Sequence, residues 1–108
     1  MSNLFKFLNG NNYITVNRSL AHAIGLDAAI YLSELLDKYE YFKNNNKLVE
    51  LPECAGLWFY LEIDVAEDRT CLSRFEQKSA IKKLCELGWI EQVNKGLPCK
   101  RYFQINER

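Results

Sequence analysis

Tyr13-Ile14-Thr15-Val16 is a short alternating run rich in β-branched side chains, and it predicts a strand. Asn17 then makes a good N-cap for a short helix over 18–24, which Gly25 can end in the left-handed conformation. From 28 to 42 the apolar residues Ala28, Tyr31, Leu32, Leu35, Leu36, Tyr39 and Phe42 recur at three- and four-residue steps. That spacing predicts an amphipathic helix, capped by Asp27, with Glu34, Asp37, Lys38 and Glu40 mostly facing out. The polar run Lys43-Asn44-Asn45-Asn46-Lys47 stops it as an exposed loop.

The second half reads differently. Two short apolar runs, 48–51 and 57–61, can pair as a hairpin around residues 52–56, although Pro52 weakens the first strand. A short helix follows over 63–68, with acids in its first turn where the macrodipole favours them. Ser73-Arg74-Phe75-Glu76 has the form of a capping box directly ahead of a helical apolar pattern. Ala80, Ile81, Leu84 and Leu87 give that helix one buried stripe, and Gly88 stops it. The runs 89–93 and 102–105 are strand-like and flank a loop over 94–99 tipped with Lys95 and Gly96. Neither repeats nor low-complexity segments interrupt this order.

With 108 residues and 48% hydrophobic side chains, the chain suits one compact domain over 1–108. Residues 1–50 form an N-terminal strand and helix extension, and 57–106 form the second unit. No apolar run approaches the roughly 18 residues that a membrane span requires, so no membrane partner is expected. The start of the chain has too short an apolar stretch for a signal peptide, which points to the cytoplasm. There Cys54, Cys71, Cys85 and Cys99 stay reduced. No two of them fall at a metal-ligand spacing, and His22, the one histidine, is distant in sequence, so no metal is expected.

Net charge is zero, yet it is not evenly spread. Residues 1–68 hold five Lys and Arg against ten Asp and Glu, whereas 69–101 hold eight against three. Such asymmetry points to a polyanion-binding second half. The element order there is short helix, tight turn at Thr70-Cys71-Leu72, longer capped helix and two-stranded ribbon. That order is a helix-turn-helix followed by a wing, and the expected fold class is α+β, a winged helix-turn-helix with an extra N-terminal strand and helices. In such a unit the second helix meets base edges in the major groove. Off the apolar stripe it offers Arg74, Gln77, Lys78 and, one turn on, Lys82, while amides at Ser73 and Arg74 suit a phosphate. Lys95, Lys100 and Arg101 in the wing can reach the backbone of the neighbouring groove. The competing reading puts Gln77 partly in the core and leaves Lys82 and Lys83 to solvate the helix.

The stretch Asn12-Tyr13-Ile14-Thr15-Val16-Asn17-Arg18-Ser19-Leu20-Ala21-His22 resembles the opening of winged-helix N-terminal domains of phage and plasmid replication proteins of Gram-positive hosts. So do Tyr39-Glu40-Tyr41-Phe42, Leu72-Ser73-Arg74-Phe75-Glu76-Gln77-Lys78 and Lys95-Gly96-Leu97-Pro98-Cys99-Lys100-Arg101-Tyr102-Phe103, in the family's order. These are replisome organisers and replication initiators, some of them DnaD-like. The resemblance implies binding of double-stranded origin DNA by the winged helix, often with self-association, and contact with host replication proteins through a separate C-terminal part; no cofactor is implied. Two positions depart from the pattern: Cys71 stands where the turn commonly has Gly, and Glu62 where a Ser or Thr cap is usual.

No Gly-rich phosphate loop, paired metal-binding carboxylates or activated nucleophile is legible, so an enzyme is not expected. His22 reads as a surface or packed side chain. Two other functions fit the same letters. One is a small winged-helix transcriptional regulator, which shares the fold. The other is a phage-type interaction module acting on a host protein, motivated by the numerous aromatics Phe5, Phe7, Tyr13, Tyr31, Tyr39, Tyr41 and Phe42. Leu4, Phe5, Phe7 and Leu8 are also candidates to support self-association.

Overall fold

A computed structural model describes residues 13–106. Within them the chain is α+β, with four helices and a four-stranded antiparallel sheet. Helix α1 covers Arg18–Ile24 and α2 covers Leu26–Asn44. Strands β1 (Val49–Leu51) and β2 (Cys54–Tyr60) follow, then α3 (Ile63–Thr70) and α4 (Arg74–Glu86), then β3 (Ile90–Lys95) and β4 (Lys100–Ile105). No helix among the described residues is long and apolar enough to cross a membrane.

Asn17 caps α1 through its Oδ1, which accepts from the Leu20 amide at 3.0 Å. Gly25 alone separates α1 from α2, at φ 95° and ψ 153°, a conformation open to glycine and strained for other residues. Asp27 is therefore not the cap expected of it. The helix has already begun at Leu26, and Asp27 lies in the first turn, where its charge still suits the N-terminal dipole. The strand expected over Tyr13–Val16 does not form. A strand needs a neighbour's amides and carbonyls. The sheet runs β1-β2-β4-β3 and includes no strand from that segment. The apolar N-terminal segment read as a self-association element lies outside the described residues.

The first hairpin is tighter than its letters suggest. Leu51 pairs with Cys54, so only Pro52 and Glu53 connect β1 to β2, with Glu53 at φ 64°. The second hairpin is regular from Ile90↔Ile105 to Lys95↔Lys100. Strand β4 lies between β3 and β2, with Phe59 opposite Phe103 and Tyr60 opposite Tyr102.

Helix α2 is the spine, packing on α1, α3, α4 and β2. Its Tyr31 and Leu35 are fully buried with Phe59, Leu84 and Phe103. The rings of Tyr31, Phe103, Phe59 and Phe42 form a chain with centroids 6.1 Å apart at each step, a separation at which aromatic pairs attract. Of the aromatics proposed for a partner surface, Tyr31 and Phe42 are thus core, Tyr39 is half-buried, and Tyr13 and Tyr41 are exposed. Leu36 and Leu87, expected on buried stripes, are exposed as well. Leu87 is the C-cap of α4, where the helical stripe has already ended.

Glu34 does not face out. It is buried against α3, where its Oε2 accepts from Arg69 Nε at 2.7 Å. That pair joins the acidic half of the sequence to the first cation of the basic half.

Candidate nucleic-acid interface

Two helices and a ribbon position the candidate residues. Helix α3 ends at Thr70, whose Oγ1 donates to the Ala66 carbonyl at 2.6 Å and accepts from the Leu72 amide at 3.2 Å. Between them Cys71 turns the chain at φ 62° and ψ 14°, in the left-handed region, and Leu72 is buried. Glu62 precedes α3 and makes no side-chain cap bond. Helix α4 then starts with a complete capping box. Ser73 Oγ accepts from the Glu76 amide at 3.1 Å, and Glu76 Oε1 accepts from the Ser73 amide at 2.8 Å. This corrects one expectation, because the Ser73 amide already serves a carboxylate. A phosphate there would have to displace Glu76.

Gln77 requires a second correction. It is fully buried, so it cannot read a base. Its Nε2 donates to the carbonyls of Ile63 at 3.2 Å and Leu72 at 3.1 Å, the first residue of α3 and the end of the turn. Its Oε1 accepts from Arg101 Nη1 at 3.0 Å. One side chain therefore ties together α3, the turn, α4 and β4. The competing sequence reading of Gln77 as a core residue is the one that holds.

Arg101 is correspondingly not a mobile tip cation. It shares the helix-facing side of β4 with buried Phe103, as strand alternation requires. Its charge also acts on Tyr31, a buried hydroxyl without a hydrogen-bond partner. Burial pushes the Tyr31 phenol up to about 12, and Arg101 offsets part of that rise. Lys100, one residue earlier, is on the opposite face, with Nζ 4.2 Å from the centre of the Tyr60 ring. Lys95 is its cross-strand partner and is half-buried. The three ribbon cations are thus divided between two faces.

Arg74, Lys78 and Lys82 are exposed along α4. Arg74 and Lys78 line a groove of about 610 Å³ between the start of α4 and the ribbon, floored by Ile63 and Ile81. Gln92, Asn94, Cys99 and Arg101 form its far wall. Three of these lining residues are cationic and none is acidic. Phe75 forms the near lip beside Arg74 and is 77% exposed. It was not among the sequence candidates, although a legible signal existed. In a capping box the two residues between Ser and Glu are not used by the cap, so their side chains are available to point outward. Leu97, at the ribbon's tip, is also fully exposed.

The four cysteines are free, with Cys54 and Cys85 half-buried and Cys71 and Cys99 exposed. Burial raises the Cys85 thiol, with the charges of Glu91 and Glu86 adding to the effect. His22 is exposed on α1, remote in sequence from the groove. No family model, no curated protein and no solved structure matches the chain.

Proposed function

We propose that this chain is a winged-helix domain that binds double-stranded DNA in replication initiation of a phage or plasmid. In this reading α3 and α4 are the helix-turn-helix, α4 enters the major groove, and β3–β4 is the wing. The observation that carries it is the groove beside α4, which Arg74 and Lys78 line from the helix and no acid lines. A phosphodiester backbone is the common biological ligand with spaced negative charge, and cations spaced along a helix can engage it. Lys82 extends the cationic row by one turn along α4. The link to replication is carried by the resemblance of the four quoted segments alone.

The test is fluorescence anisotropy of a labelled duplex, starting near about 50 mM salt and titrating upward. Wild type should bind, and Arg74→Ala and Lys78→Ala should each weaken binding at every salt concentration while leaving the melting temperature unchanged. Absence of duplex binding at the lowest salt would overturn the proposal and leave the interaction-module reading in its place.

A further inference from the structure

A single exposed apolar side chain is ordinary on a protein surface. The setting of Phe75 is not ordinary. It lies in the first turn of α4 between Arg74 and the capping Glu76, with Lys78 one turn on, and the core makes no use of its ring. It forms a lip of the groove, whose far wall carries the amides of Gln92 and Asn94, bonded to each other at 2.8 Å. An aromatic face flanked by cations is the arrangement on which an unpaired base stacks while its neighbouring phosphates are held. Amides opposite can both donate to and accept from a base edge. The groove's volume of about 610 Å³ leaves room for one base.

In an intact duplex the faces of the bases are stacked on one another, and only edges reach the groove. From these observations we infer that the groove takes one unpaired base on Phe75, so that the ligand class is duplex DNA interrupted by unpaired nucleotides. This rests on the DNA-binding reading and narrows it. A base that is already unpaired enters without the cost of being pulled from the stack, and the stacking gain then appears as preference.

The experiment compares a fully paired duplex with the same duplex carrying a central thymine bubble. Wild type should bind the bubble about tenfold more tightly, the gain that one base–aromatic stack gives. Phe75→Ala should abolish that preference by costing far more affinity for the bubble than for the paired duplex, and Phe75→Trp should retain the preference. Because Phe75 is exposed, both variants should keep the wild-type circular dichroism. Ultraviolet irradiation of the bubble complex should cross-link thymine to the peptide containing Phe75. Equal wild-type affinity for the two DNAs overturns this inference but leaves the DNA-binding reading standing. So does a Phe75→Ala variant that loses as much affinity for the paired duplex as for the bubble, since Phe75 would then be touching a thymine methyl in an intact groove. Failure to bind either DNA instead overturns the DNA-binding reading.

Discussion

Tyr31 brings a hydroxyl into the fully buried centre of the fold and gives it no hydrogen bond. An unmade bond at such a site costs the desolvation of the group, about 1–3 kcal/mol. Tyr31→Phe keeps the ring contact with Phe103 and removes the orphan, so it should raise stability at pH 7 by about 1 kcal/mol. Alkaline pH should widen the difference. The buried phenol keeps its proton to about 12, whereas the unfolded chain releases it near the ordinary value of 10.0. The unfolded state thus binds fewer protons in this window, and stability falls as pH rises from 10.0 through about 12. Wild type should lose up to about 1.4 kcal/mol per pH unit there that the Phe variant does not lose. Urea unfolding of both proteins across that window checks this, and parallel curves would refute it. Gln77 and Glu34 are two further polar side chains whose roles depend on distant partners. Gln77 bonds to Arg101 24 residues away, and Glu34 to Arg69 35 residues away. Local pattern marks both as polar and surface-facing, because the helical period records the width of the apolar stripe. It does not record whether a polar residue beside the stripe meets another helix.

At the scale of elements, the features legible in advance are those whose chemistry is complete within a few residues. The Ser73–Glu76 box, the Asn17 cap and the β3–β4 hairpin are of this kind. Tyr13–Val16 is the opposite case, since β-branched alternation favours a strand only where a neighbouring strand supplies hydrogen bonds. The groove lip was missed because a lone Phe in a helical segment ordinarily signals core. The α3–α4 turn was legible in its place, and Cys71 standing where the turn commonly has Gly marks its cost. Cys71 holds a left-handed conformation that disfavours any residue with a Cβ, and its side chain is exposed, so little packing compensates. Cys71→Gly should relieve that strain. After the extra backbone entropy of glycine is charged against it, the gain should be roughly 0.5–1 kcal/mol. Thermal or urea unfolding measures it directly. A loss of stability would mean that the thiol has a packing role that its exposure conceals. Duplex affinity should not change, because Cys71 does not line the groove beside α4.

For the whole molecule, segregation of charge along the sequence overstates what a ligand would meet. Eight cations fall in 69–101, yet the fold gives several of them neighbours of its own. Arg69 pairs with buried Glu34, Arg101 bonds Gln77, and Lys100 lies over Tyr60. Lys83 Nζ approaches the α1–α2 junction at Gly25 and lines a hollow on that side, away from the groove beside α4. On the DNA-binding reading, Arg74, Lys78, Lys82 and Lys95 are left to meet phosphates. The exposed Asp64, Glu67 and Asp68 of α3 would repel a polyanion from the neighbouring helix face and so restrict how a bound duplex could lie. Each phosphate neutralised contributes about −0.9 to the slope of log affinity against log salt, so four contacts give a slope of about −3 to −4. All eight cations acting together would give about −7. The measurement is duplex binding across a fourfold or wider range of salt, done once for wild type and once for Lys100→Ala. The wild-type slope should fall in the shallower range, and Lys100→Ala should leave it unchanged while lowering stability by about 0.5–1 kcal/mol through loss of the contact with Tyr60. A slope steeper than about −6 would show that Lys100 and Arg101 leave their internal partners when DNA binds. The ribbon would then rearrange on the ligand, and the Gln77 joint would be the place where that movement begins.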